Sequence, residues 1–247
     1  PKKAQDLLDK AIPVLLDETN AKNEVNVPLV RSSEVMNMKN SENMGSNDVI
    51  NKTKTLDKAL ENANSLDKPI KKIRVFDFDD TLATSKNIVI ATKDGKTIKL
   101  NAEDFAKKGL ELKEDGWDMD FSDFNKVTDG GRGPLFKIAE KIKNARGNED
   151  LFVLTARAPQ SRDAIYEFLK AEGLEFKIEN IIGLGNSTGE AKAEWLVGKA
   201  AEGYNDFYFA DDATANVKAV KEALEPLDIK SKTQQVFASN SENRSLE

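Results

Sequence analysis

RVFDFDDTLATSKN, residues 74–87, joins an apolar run to three aspartates within four positions. Crowded carboxylates repel one another and resist burial, so the stretch demands a reason. Side chains alternate faces along a strand, which predicts Asp77 and Asp79 on one side and Phe76, Phe78 and Asp80 on the other. The two carboxylates then stand about 6–7 Å apart where the chain leaves a sheet. In an open parallel sheet, ligands bind beyond the carboxyl ends of the strands. Taken alone, DxDD fits a turn equally well, with Asp79 or Asp80 capping the segment that follows.

Outward from this stretch the chain alternates. The apolar runs KIRVFDFD (72–79), DLFVLTA (150–156), KIENIIGL (177–184) and DFYFADD (206–212) predict strands, and 134–146, 161–172, 188–202 and 214–225 predict helices. Strands alternating with helices imply βαβ units and a central parallel sheet flanked by helices, an α/β fold. In the first helix Pro134 suits the first turn, Leu135, Ile138 and Ile142 share a face, and Gly147 closes the segment. Ser161 is a candidate cap for the second, with Ile165, Phe168 and Leu169 as its stripe and Gly173 as its stop. Residues 83–133 interrupt the alternation with a hairpin at 87–100 around Asp94-Gly95, a short helix in AEDFAKKGLEL, and an aromatic, acidic loop, GWDMDFSDFNKVTDGGRG. An insertion of this size exceeds a plain turn and reads as a candidate lid.

The polarity of the chain is concentrated at its start. Residues 4–17 have helical spacing broken by Pro13, which costs about 3 kcal/mol inside a helix. Thr19 to Lys72 is rich in Asn, Ser, Lys and Glu without a sustained period, and reads as an arm or linker with one short helix at 55–64. The expected organisation is a polar, largely irregular arm over 1–70, an α/β domain over 71–240 with the insertion at 83–133, and a disordered tail at 241–247. A first residue that is Pro1, not Met, suggests processing or excision from a longer polypeptide.

Composition removes whole classes of chemistry. With no cysteine there are no disulfides, thiolate zinc sites or cysteine nucleophiles, and a reducing, cytoplasmic setting is favoured. With no histidine, Ser-His-Asp and Cys-His constellations, HExxH proteases and imidazole ligands are excluded. Any metal must be held by oxygen, which favours magnesium, calcium or manganese. A net charge of −6 speaks against nucleic acid as a partner, although a local basic patch would be compatible with it. No run of about 18 apolar residues is present, so no membrane span is expected.

Three further features accompany the aspartates. LFVLTAR ends its apolar run in Thr155, FYFADD ends in Asp211 and Asp212, and a lysine-bearing helix, STGEAKAEWL, lies between them. This order, hhhDxDxT, hhhT, a helix lysine and hhhhDD, resembles the four motifs of the haloacid dehalogenase superfamily over roughly residues 72–240. The resemblance implies a Rossmann-like core with a cap inserted after the first motif, and magnesium-dependent phosphoryl transfer through an aspartyl phosphate. By position, Asp77 would be the nucleophile and Asp79 the general acid/base; Thr155 would bind the phosphoryl group. The metal set would be Asp77, Asp79, Asp211 and Asp212, with Asp79 just outside direct side-chain contact. Lys192 is the preferred substrate-contacting lysine, near a helix start capped by Ser187 or Thr188, whereas Lys199, two turns later, reads as solvated surface. Arg157 is either a second phosphate contact or a surface ion pair.

An acid at position 79 separates the phosphatases and phosphotransferases of the superfamily from the dehalogenases proper, which lack it. A response-regulator receiver shares the residue types, but its acid pair comes first and its acceptor aspartate later. The expectation is therefore a magnesium-dependent phosphomonoester hydrolase acting on a small phosphorylated substrate. The TAR and DD motifs also resemble the phosphatase half of polynucleotide kinase-phosphatases. A third reading, from the resemblance to HAD-like pieces within long phage-encoded proteins, is a module serving assembly or binding.

Overall fold

The computed structural model of the chain describes residues 46–65 and 68–237. The kinked helix expected at 4–17 and the tail at 241–247 lie outside the described residues. The core is a five-stranded sheet built from β1 (Lys72–Phe76), β7 (Leu151–Thr155), β8 (Ile181–Gly183), β9 (Asp206–Asp211) and β10 (Lys230–Gln235). All its pairings are parallel and the order is β10-β9-β1-β7-β8. β1 is central, with Val75 paired to Phe152 on one side and Phe209 on the other. Central strands are covered on both faces and so read as near-continuous apolar runs; all five residues of β7 are buried.

Among the described residues five helices flank the sheet: α1 (Ser46–Asn64), α3 (Phe136–Arg146), α4 (Arg162–Ala171), α5 (Gly189–Ala201) and α6 (Thr214–Leu224). One apolar layer joins Leu60, Leu196 and Leu224 of α1, α5 and α6 to Ile73, Val75 and Phe209. The other joins Phe136, Ile165 and Leu169 of α3 and α4 to Phe76 and Val153. Strand order thus grows from β1 to β7 and β8 on one side, then returns through α5 to β9 and β10 on the other. The reversal falls between β1 and β9, the place where an open α/β sheet splays its connections to opposite faces and leaves a crevice. Among the described residues no helix is long and apolar enough to cross a membrane.

Several local expectations are corrected. The helix expected at 55–64 runs from Ser46 to Asn64, and it is no loose arm. Leu56, Ala59, Leu60 and Ala63 form a stripe at helical spacing that packs into the sheet layer beside α5. Asn62 Nδ2 donates to the carbonyls of Ala200 and Ala201 at 3.2 and 2.8 Å, satisfying orphan acceptors at the end of α5. β10, KSKTQQ, carries no apolar signal and escapes a hydrophobicity reading; its lysines suit an exposed sheet edge. Ser161 directs its hydroxyl to the Ala158 carbonyl instead of capping α4, and Ile138 is 40% exposed while Phe136 and Ala139 fill the core.

The insertion between β1 and α3 has its own small core. β2 (Ala83–Thr84) and β6 (Gly131–Arg132) pair antiparallel, so the two ends of the insertion leave the domain side by side. Beyond them β3 (Val89–Lys93) and β4 (Lys96–Leu100) form the expected hairpin. Asp94 and Gly95 both take left-handed φ, +49° and +74°, as a two-residue hairpin turn requires. α2 (Ala102–Glu114) starts at Asn101, whose side chain accepts the Asp104 N–H. The segment read as a loop contains β5 (Asp118–Asp120), paired to β3, and a 3-10 turn over Ser122–Asn125. Trp117, Met119, Phe121 and Phe124 there pack with Val89, Ala91 and Leu100.

Candidate active site

β1 ends at Phe76, earlier than its sequence suggests, because the chain turns at once: the N–H groups of Leu82 and Ala83 both donate to the Phe78 carbonyl, and Asp80 adopts φ +56°. Aspartate tolerates that left-handed conformation better than most residues. The alternation expected through Asp79 therefore breaks. Asp77 and Asp79 do not share a partner, and each meets a different cation.

Asp77 continues along β9, donating its N–H to the Ala210 carbonyl at 2.9 Å. Its buried carboxylate accepts from Lys192 Nζ at 2.6 Å, and the same ammonium donates to Asp211 Oδ2 at 2.6 Å. Lys192 reaches this position because Thr188 caps α5, its hydroxyl accepting the Ala191 N–H, which sets the first turn over the β1–β9 crevice. Gly189 makes that approach feasible. A Cβ there would lie 2.8 Å from both the Ala215 carbonyl oxygen and the Ala219 Cβ of α6. Asp211, at the end of β9, is fully buried; Oδ1 accepts the Ala213 N–H at 2.9 Å, and Asn216 Nδ2 lies 3.1 Å from both oxygens.

The electrostatics follow from burial. Asp77 has its carboxyl raised well above the ordinary range, first by burial and then by Asp211 and Asp79, with Lys192 opposing. Burial pulls the Lys192 ammonium down, but Asp77 and Asp211 outweigh it and hold the group charged. Asp212, half-buried beside Asp211, is pushed up to about 6 by burial, then by Asp211 and Asp80.

Ligand atoms of Asp77, Asp211 and Asp212 all lie within 4.8 Å of one another. This is an oxygen-only donor set of the type hard divalent cations take. Asp79 is outside it. Asp77, Asp79, Asp211 and Asp212 meet two buried cations, Lys192 and Arg157, and Asp80 lies close enough to Asp79 and Asp212 to interact with both, so among the described residues acids outnumber cations at the site. A divalent ion fits this excess of acids through the chemistry of its oxygen donors.

Arg157 is neither surface ion pair nor free phosphate ligand. Its Nε and an Nη bind both oxygens of Asp79, at 2.8 and 2.7 Å, and its remaining N–H groups go to Ser85 Oγ, Asn87 Oδ1 and the carbonyls of Phe124 and Lys126. The guanidinium is fully spent on protein acceptors. Thr155 ends β7 buried next to β1, its Oγ1 accepting the Arg157 N–H at 3.2 Å. Lys199, read as solvated, sets its ammonium 5.1 Å from the ring centres of Phe152 and Trp195 and pairs with Glu202.

Two polar residues of the site escaped notice in the sequence. Asn216 sits in the first turn of α6 and is buried; an asparagine inside a helix on its packed face is the available signal, since it competes poorly for helical conformation. Asn87 is buried, donates to Asp123 and Thr128 and accepts from Arg157, and nothing in its neighbours marks it. No family model, curated protein or solved structure matches this chain, so its functional reading rests on the acid cluster and the cations that meet it.

Proposed function

We propose that the chain is a magnesium-dependent phosphomonoester hydrolase working through an aspartyl phosphate on Asp77. One observation carries the reading: Lys192 joins Asp77 and Asp211 at the crevice where the strand order reverses, with Asp212 completing an oxygen site. A nucleophilic carboxylate meets an anionic phosphate only when their repulsion is relieved. Asp77, Asp211 and Asp212 would hold the cation, which supplies that neutralisation. Lys192 keeps Asp77 oriented and contributes a fixed positive charge beside the incoming phosphoryl group.

In the first step an Asp77 oxygen forms a bond to phosphorus, the bond from phosphorus to the ester oxygen breaks, and the departing alkoxide takes a proton from the Asp79 carboxyl. In the second, Asp79 takes a proton from water, the water oxygen bonds to phosphorus, and the Asp77 acyl phosphate bond breaks to release inorganic phosphate. Thr155, at the end of β7, would bind a phosphoryl oxygen through its hydroxyl. The haloacid dehalogenase resemblance supports the same assignment of Asp77, Asp79, Thr155 and Lys192.

The test is phosphate release from a panel of phosphomonoesters with and without magnesium, on wild type and Asp77→Asn. Magnesium-dependent release by wild type, abolished in the variant, is expected. A folded wild type that is as inert as the variant across the panel would turn the reading toward a binding module.

A further inference from the structure

The guanidinium of Arg157 has two working edges. One grips Asp79 through Nε and Nη, and the other donates to the carbonyls of Phe124 and Lys126 in the insertion. Its faces lie near the rings of Phe78, from the turn after β1, and Phe124, from the insertion, at 5.2 and 5.1 Å. The arginine side chain is 2% exposed while that of Asp79 is 34% exposed, so the cation is sealed and its partner is open to solvent in part. We infer that Arg157 is a positioning residue, which makes the orientation of Asp79 depend on the docking of the insertion over residues 87–128.

The geometry gives the reason. Guanidinium is rigid and planar, so an edge fixed on two backbone carbonyls dictates where the opposite edge lies. A carboxylate offers about four lone-pair sites, and the fork occupies one on each Asp79 oxygen, orienting the group without using it up. Should the insertion lift, Arg157 loses both carbonyls, the Asn87 oxygen and the Phe124 ring together and keeps only Ser85 Oγ beside Asp79, so the fork no longer fixes the plane of the carboxylate. A plain structural clamp would hold the insertion down without requiring its cation to share a bidentate pair with a half-open acid.

The inference rests on the hydrolase reading and deepens it. Its test compares p-nitrophenyl phosphate, whose leaving group needs no proton, with glycerol 2-phosphate, whose alkoxide does, in magnesium, for wild type, Arg157→Lys and Phe124→Leu. Arg157→Lys keeps the charge and loses the fork. Its kcat/KM on the alkyl ester, which reports the steps up to release of the alcohol, should fall at least about tenfold further than on the aryl ester, whereas the hydrolysis of the acyl phosphate is common to both. Phe124→Leu, which touches Arg157 and not Asp79, should shift the same ratio in the same direction by less. Equal losses on both esters that follow the folded fraction, or an unchanged ratio in an active enzyme, would overturn the positioning role alone. A wild type inert on both esters would overturn the hydrolase reading and this inference with it.

Discussion

Replacing Lys192 by methionine preserves the length of the stem and deletes the charge that holds the site together. Its ammonium lies 2.6 Å from an oxygen of Asp77 and 2.6 Å from one of Asp211. At an effective dielectric constant of about 20, each contact carries roughly 6 kcal/mol of Coulomb attraction, most of it offset by the cost of burying the charges. Deleting one partner of such a buried arrangement typically costs about 3–5 kcal/mol, because the charges left behind are uncompensated. For a chain of this size, about 2–4 °C per kcal/mol turns that into a Tm loss of roughly 6–20 °C at pH 8 without divalent cation. The sign with pH is fixed. Burial already raises the Asp77 carboxyl, and removing Lys192 removes the force opposing it. The folded variant thus binds protons more tightly than the unfolded chain, and its stability falls as pH rises. Calorimetry at pH 5 and pH 8 on wild type, Lys192→Met and Lys192→Met/Asp77→Asn checks this, with the double variant recovering part of the loss at pH 8. A Tm at pH 8 within about 2 °C of wild type, or a loss as large at pH 5 as at pH 8, would refute the reasoning and point to packing.

Asp79→Asn should keep the fold and magnesium binding, since Asp79 lies outside the acid cluster, but lose turnover on alkyl phosphomonoesters; retention of most of that rate would sink the acid/base assignment. Asp212 binds its proton more tightly when folded, with its carboxyl pushed up to about 6. That group favours the fold below the ordinary carboxyl range, and its contribution is lost as pH rises through about 6. Asp212→Asn should flatten the corresponding fall in Tm and weaken magnesium binding, both readable by thermal melts across pH and metal concentration. Leu60→Ala should cost about 2–5 kcal/mol in a denaturant titration, because the side chain is buried in the layer shared with α5. Were α1 a dispensable arm, that variant and a chain beginning at residue 69 would unfold like wild type.

The legible parts of the fold were those whose burial is continuous. β7 and β9 sit between neighbours on both sides and read as unbroken apolar runs, and their end residues, Thr155 and Asp211, fall where the runs stop. α1 was only half legible. Its buried stripe is four residues of a long polar helix, and the partner surface that makes the stripe sufficient is supplied by α5, more than a hundred residues later. β10 was illegible for the opposite reason: its place is secured by backbone pairing to β9, to which side-chain hydropathy contributes nothing. Within the site, Lys192 could be chosen over Lys199 from helix capping alone, since Thr188 fixes which turn faces the crevice. Arg157 could not be assigned so, because its partners come from the turn after β1 and from two places in the insertion.

Asp77 and Asp79 look like one cluster when written side by side, and a shared cation is the natural remedy for their repulsion. The fold separates them instead. The turn closed on the Phe78 carbonyl ends the strand alternation, so Asp77 meets Lys192 from α5 while Asp79 meets Arg157 from the end of β7. Each aspartate is thus met by a protein cation before any ion binds, which lets the crowded sequence fold without one. The uncompensated charge then resides mainly with Asp211 and Asp212, since Lys192 is divided between Asp77 and Asp211. It follows that magnesium should stabilise the fold through mass action without being needed to form it. Chelation should therefore lower Tm to a finite limit and leave the far-ultraviolet circular dichroism of the folded chain unchanged. A chain that loses its secondary structure on chelation at neutral pH would show that Lys192 and Arg157 are too few to hold the four carboxylates together.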